Sequence, residues 1–191
     1  PDVLEPMDYE AFRRSPIRFE VVSTNLETGE ADYHEMRDYH DDLPYIIASS
    51  SMPLVSQIVE VDGKLLLDGG TSDSVPLLHS ILTGANKHVV VLTQAHDYVK
   101  RANKLMALMR QRYADYPYYL ERLQYRHYEY NRLYRWIARE EAAGRIFVIR
   151  PPEPVTVSSM EHDAEKLLAL YEQGLAAAAT AWPKLQEYLA S

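Results

Sequence analysis

The sequence predicts an α/β fold with a mainly parallel sheet flanked by helices. Two apolar runs, residues 88–93 (His-Val-Val-Val-Leu-Thr) and residues 146–149, read as strands buried on both faces. A long helical stretch separates them, and alternation of strands with helices is the mark of a parallel sheet with crossovers. At 191 residues, 47% apolar and 25% charged, the chain has the composition of a globular protein with a sizeable core.

In chain order, residues 18–24 are rich in β-branched and aromatic side chains and predict a strand, with Glu27-Thr28-Gly29 as the turn after it. Residues 31–36 predict its hairpin partner. Residues 43–49 predict a short helix or buried segment, broken by Pro53. Residues 58–61 and 64–67 flank Asp62-Gly63, a pair suited to a two-residue type I′ hairpin. Asp73 is the expected N-cap of a helix through Ile81 that ends at Gly84. Within the long helical segment Leu105, Leu108 and Met109 share one face. Leu120, Leu123, His127, Tyr130, Tyr134 and Ile137 then recur at three- and four-residue steps. Pro151-Pro152 stops the strand at 146–149. Residues 163–189 predict a final helix with Leu168, Tyr171, Leu175 and Trp182 on one stripe and a kink or restart at Pro183.

Composition excludes several kinds of function. A net charge of −8 argues against nucleic acid as a main partner, because phosphate binding needs a basic face. No run approaches the roughly 20 apolar residues of a membrane-spanning helix, and the opening does not read as a secretory leader. With zero cysteines there is no disulfide, thiolate metal site or cysteine nucleophile, and a cytoplasmic location is the expectation. Pro1-Asp2-Val3-Leu4-Glu5-Pro6 has no initiator Met, so the chain is expected to be a portion of a longer polypeptide.

The chemistry concentrates at Leu65-Leu66-Leu67-Asp68-Gly69-Gly70, an apolar strand that ends in a carboxylate and two glycines. Open α/β folds gather reacting groups at the carboxyl ends of strands. Gly69 and Gly70 allow a tight turn with positive φ and a close backbone or substrate approach. A carboxylate there can accept the proton of a serine hydroxyl. The plainer reading is a cap and turn ahead of the next helix, and Asp62-Gly63 shows how common such a pair is. Ser49, Ser50 and Ser51 lack the glycines of a nucleophile elbow and fit tight packing near the site. His34 and His40, among Glu35, Asp38, Asp41 and Asp42, could hold a divalent ion, but a solvated acidic loop is the preferred reading and no metal is expected. His162-Asp163 belongs to the start of the last helix. Residues 113–136, dense in Tyr and Arg, allow two readings: a surface for lipid head groups, or inward packing with solvated arginines, which one regular stripe favours.

Three stretches follow one another with consistent spacing. They are Phe19-Glu20-Val21-Val22-Ser23-Thr24-Asn25-Leu26-Glu27-Thr28-Gly29, then Ala48-Ser49-Ser50-Ser51-Met52-Pro53-Leu54, then Val61 through Leu77 with Asp68-Gly69-Gly70 and Val75-Pro76-Leu77. In that order they resemble the carboxy-terminal half of the patatin-like phospholipase family, at least over residues 18–93. The tyrosine-rich segment and residues 146–152 resemble a bacterial subgroup with a helical extension. The resemblance implies a partial α/β-hydrolase-type sandwich whose amino-terminal half is missing. It divides the chain into residues 1–98, part of a catalytic domain, and residues 99–191, a helical extension with one strand at about 146–150 on the same core. It further implies a lipid acyl hydrolase with a Ser–Asp dyad and no cofactor, in which Asp68 is the proton acceptor and Gly69 and Gly70 form its turn.

The family's nucleophile lies in a Gly-x-Ser-x-Gly elbow, and a glycine-rich loop supplies its oxyanion hole. Neither occurs in these 191 residues. The chain alone is therefore expected to be inactive, with a lipid or ester as the substrate of the full-length protein and peripheral membrane contact left open. Strands without covering partners are expected to drive self-association by dimerisation or strand exchange. The competing reading is a non-catalytic binding or interaction module on a hydrolase-like scaffold.

Overall fold

The computed structural model describes residues 7–158 and 160–191. Its elements run α1 (Tyr9–Arg14), β1 (Glu20–Asn25), β2 (Ala31–Glu35), α2 (Leu43–Ser49), β3 (Val59–Val61), β4 (Lys64–Asp68), a 3-10 turn (Gly69–Thr71), α3 (Leu77–Leu82), β5 (Val89–Val91), α4 (Met106–Arg112), α5 (Pro117–Ala142), β6 (Phe147–Ile149) and α6 (Ala164–Ala190). Contacts divide the chain into two compact units. One holds the described residues up to Ser74 together with Arg101–Tyr128; the other holds those of Val75–Lys100 and Glu129–Ser191. Each unit draws on sequence from both sides of residue 98, and α5 contributes to both.

The first unit is built on a four-stranded sheet of order β2-β1-β4-β3, antiparallel throughout. Two local hairpins set the outer pairs, and β1 pairs with β4 between them. Glu27-Thr28-Gly29 turns β1 into β2, with Gly29 at φ +69°. Asp62 (φ 51°) and Gly63 (φ 72°) turn β3 into β4 with both central residues left-handed, as a type I′ hairpin requires. Successive side chains of β4 point to opposite faces. Leu66 packs with Val21, Met36, Tyr45 and Ala48 of α2 on one side. Leu67 packs with Leu26, Met109, Tyr113, Tyr119 and Leu123 on the other.

The second unit contains one parallel pair, β5 with β6, in the register Val90 to Val148. Its core joins Leu77, Val90, Leu92, Tyr134, Ile137 and Ile146. Mixed α/β is thus the class, but the expectation of a mainly parallel sheet is corrected: among the described residues three of the four strand pairings are antiparallel. For β1–β2 and β3–β4 the physical reason is connection length, since turns of a few residues can only return a strand antiparallel.

Other expectations change too. Residues 88–93 are not covered on both faces: Val90 and Leu92 are buried, while Val89 and Val91 are exposed, Val91 at 69%. The helix expected from Asp73 begins only at Leu77, with Pro76 as its cap and no side-chain cap bond. Asp73 instead accepts a hydrogen bond from the Tyr33 hydroxyl at 2.6 Å. The long helical segment is two helices, and of Leu105, Leu108 and Met109 only Met109 is buried. The α5 stripe does pack, with Leu123, Tyr134 and Ile137 buried. In α6, Asp163 is the N-cap, accepting from the backbone N–H groups of Glu165 and Lys166, and the helix runs on through Pro183.

Candidate active site

β4 carries Asp68 to the end of the sheet and the surrounding backbone holds it there. Its N–H donates to the Ser51 carbonyl at 2.9 Å, and its own carbonyl accepts from the Thr24 hydroxyl at 2.8 Å. Ser23 stands opposite it on β1. Within the side chain, Oδ1 accepts the Gly70 N–H at 2.6 Å, which makes Asp68 the N-cap of the 3-10 turn Gly69–Thr71. Oδ2 has no hydrogen-bond partner among the described residues. The residue is half-buried, so one carboxylate oxygen is fixed and the other is available.

The two glycines are required by the close approach expected of them, while the expected positive φ is corrected. Neither adopts a positive φ. A Cβ on Gly69 would stand 2.1 Å from the Val22 carbonyl oxygen, so only hydrogen fits where the turn crosses β1. A Cβ on Gly70 would lie 3.0 Å from both Arg126 Nη2 and Asp68 Oδ1. The Gly70 carbonyl accepts from Arg126 Nε at 2.5 Å and from the Ser74 hydroxyl at 2.6 Å. The turn is thereby clasped from Asp68 on one side and from α5 on the other.

Buried hydroxyls surround this turn. Ser23, Thr71 and Tyr119 are at most 2% exposed, and their oxygens have no hydrogen-bond partner among the described residues. Burial pushes the Tyr119 phenol up; Tyr113 and Asp68 add to the push, while Arg126 opposes it. Thr24 and Ser72 hydroxyls share a 2.8 Å hydrogen bond. Burial also raises the Tyr33 phenol, and its hydrogen bond to Asp73 adds to that.

No hydroxyl among the described residues is hydrogen-bonded to the Asp68 carboxylate. The Ser50 hydroxyl donates to the Ile46 and Ile47 carbonyls, and that of Ser51 to Ile47 at 2.7 Å. Ser51 nevertheless touches the site through its backbone carbonyl, in keeping with a packing role. His34 bonds Asp42 at 2.9 Å, and Asp38 pairs with Arg13. Among the described residues no group of three or more His, Cys, Asp or Glu side chains is placed to hold a metal ion.

Arg126 and Tyr119 were not singled out from the sequence, although a signal existed. Arg122 and Arg126 lie four apart on α5, beside Tyr119 and Leu123, and four-apart residues share a helix face. The expectation that the arginines of this segment stay solvated is corrected for these two. Arg122 Nε donates to the Gly29 carbonyl at 3.0 Å, and each is half-buried. Of the tyrosines in residues 113–136, Tyr113, Tyr119 and Tyr134 are buried, whereas Tyr118, Tyr125 and Tyr128 are exposed. No helix among the described residues is long and apolar enough to cross a membrane.

Comparison with known families places one segment. Residues 116–190 match the model of a domain of unknown function, DUF6363. The matched segment covers α5, β6 and α6, so it includes Tyr119, Arg122 and Arg126 but begins well after Asp68. No curated protein matches the chain.

Proposed function

We propose that Asp68 is the general base of a patatin-like Ser–Asp dyad in a lipid acyl hydrolase, with serine and oxyanion donors supplied by polypeptide other than these 191 residues. The observation that supports this most is the division of labour within the carboxylate. Oδ1 is committed to the Gly70 N–H, and Oδ2 is left for a proton at the end of a strand clamped by Ser51 and Thr24. In the proposed reaction Oδ2 takes the serine proton as Oγ bonds to the ester carbonyl carbon. The tetrahedral adduct collapses to an acyl-enzyme, and the leaving alcohol takes the proton back from Asp68. Water then attacks the acyl-enzyme with Asp68 as base, and serine and free fatty acid are regenerated.

Asp68→Asn in the full-length protein retains an acceptor oxygen for the Gly70 N–H but cannot take a proton. The expected result is loss of ester hydrolysis by ~100-fold or more, the order contributed by a positioned acid–base group, with the thermal midpoint little changed. Near-native turnover of a short-chain nitrophenyl ester overturns the assignment. The 191-residue chain by itself is expected to give no steady hydrolysis and no fluorophosphonate labelling.

A second reading, a non-catalytic module on the same scaffold, is favoured by one observation: the Asp68–Gly70 bond is a complete capping interaction in its own right. The two readings separate on fluorophosphonate labelling of the full-length protein, which requires an activated serine.

A further inference from the structure

We propose that α6 is a self-association helix, which pairs antiparallel with α6 of a second copy of this chain. This inference is independent of the hydrolase reading and concerns a different surface from the exposed Val89 and Val91 of β5.

The 27 residues of α6 contain a single buried side chain, Leu185. Its last turns are anchored: Lys87 Nζ donates to the carbonyls of Tyr188 and Leu189, each at 2.7 Å, and the Tyr188 hydroxyl donates to the Arg145 carbonyl. Outward, Leu168, Leu175, Trp182 and Leu189 recur at intervals of seven, with Tyr171 and Ala178 between them. The five large side chains of this row are 52–63% exposed. A strict seven-residue repeat is the 3.5-residue period of a seam between two long helices, narrower than the stripe a helix lays on a globular core.

Three observations select a second copy as the occupant. The first is area: with fully exposed aromatic and leucine side chains near 200–250 Å², the five present about 600 Å² of the ~800 Å² per partner in a standard interface. The second is self-complementarity. An antiparallel pair centred between residues 176 and 177 sets Leu175 against Ala178 of the second copy and Tyr171 against its Trp182, large on small and ring on ring. A parallel pair would oppose Trp182 to itself. Two-fold pairing of one patch with itself is the commonest closed assembly. The third is charge. α6 carries Glu165, Glu172 and Glu187 against Lys166 and Lys184. Helices that lie on anionic lipid are rich in Lys and Arg, so this balance is wrong for a membrane surface. In the antiparallel register Glu172 meets Ala181, Glu165 meets Tyr188 and Glu187 meets Lys166, with no like charges opposed.

The test is the mass of the chain in solution by light scattering and sedimentation at micromolar concentration, with the dimer as the expected result. Leu175→Glu combined with Trp182→Glu places four carboxylates in the seam of each pair and should weaken association ~100-fold or more, with helical circular dichroism retained. Because the chain has no cysteine, Ala178→Cys and Ala164→Cys give clean single thiols. A short bismaleimide should bridge Ala178→Cys copies and leave Ala164→Cys copies unbridged. A monomeric native chain, a dimer that survives the double variant, or bridging at both cysteine positions or at neither overturns the proposal. The bridging pattern also decides the matter if the double variant fails to fold.

Discussion

Two Asp-Gly pairs stand six residues apart on the same ribbon of sheet, and they differ in what the glycine is for. At Asp62-Gly63 both residues have positive φ, and nothing lies within 4 Å of where a Cβ on Gly63 would go. There glycine answers a local torsional demand. At Asp68-Gly69 neither φ is positive, and the Val22 carbonyl occupies the place of a Cβ. There glycine answers a long-range demand, set by how the turn crosses β1. The first pair answers to the torsions of the turn itself. The second exists only in the assembled fold, which is why its carboxylate is held so firmly.

The sharpest way to break that contrast is Gly69→Ala. A methyl group 2.1 Å from a backbone oxygen must push β1 away from the end of β4, a displacement at the centre of the sheet. The expected cost is about 3 kcal/mol or more, at the upper end of overpacking effects. Denaturant unfolding measures it, and a loss below ~1 kcal/mol would mean that the turn can relax around the methyl.

A smaller effect is expected from Arg126→Leu. It removes the donor to the Gly70 carbonyl while leaving the Ser74 hydroxyl and Asp68 in place. The loss should be about 1–2 kcal/mol, the scale of one charge-assisted hydrogen bond. Amide hydrogen exchange should accelerate across residues 68–74 and stay unchanged at Asp62-Gly63. Equal acceleration at both turns would show that α5 does not act on the Asp68 turn selectively.

These two glycines also mark how far the sequence could be read. The hairpin at 62–63, the short helix at 43–49 and the partner strand at 31–36 were legible because their causes are local: turn torsions, a proline break, the turn at Glu27-Thr28-Gly29. The clasp on Gly70 was not, because Arg126 reaches it across 56 residues of sequence and only the tertiary fold joins them. Strand direction failed for a related reason, since apolar runs report burial and carry no sign of which neighbour a strand will take. The long helices make the point again. Both α5 and α6 show apolar stripes at three- and four-residue steps. α5 buries Leu123, Tyr134 and Ile137, whereas α6 leaves Leu168, Tyr171, Leu175 and Trp182 exposed. Periodicity identifies the face and leaves open what covers it.

The Asp62 turn has a pH signature of its own. The Tyr45 hydroxyl donates to Asp62 Oδ2 at 2.6 Å, and its ring stacks on His34 at 3.5 Å. Burial first, then the Asp62 carboxylate, holds the phenol well above its ordinary value. A group raised in the folded state contributes stability that is complete below its unfolded pKa, about 10 for tyrosine. That contribution is lost as pH climbs from there through the folded value. Unfolding free energy should therefore decline above about pH 10, and Tyr45→Phe should flatten that part of the profile. An unchanged alkaline slope in Tyr45→Phe would remove Tyr45 as its source.

The mildest expected change is Gly63→Ala, the counterpart of Gly69→Ala at the hairpin. The new methyl meets nothing, so the only penalty is the left-handed torsion at φ 72°. That penalty is about 1 kcal/mol, partly offset by the lower entropy of the unfolded chain. For a chain of this size it corresponds to a shift of roughly 3 °C in the thermal midpoint. Gly63→Asn should cost less still, because asparagine tolerates the left-handed region. Comparable losses at residues 63 and 69 would erase the distinction between torsional and contact glycines. A ratio of three or more between them would establish it with two alanine substitutions in one ribbon.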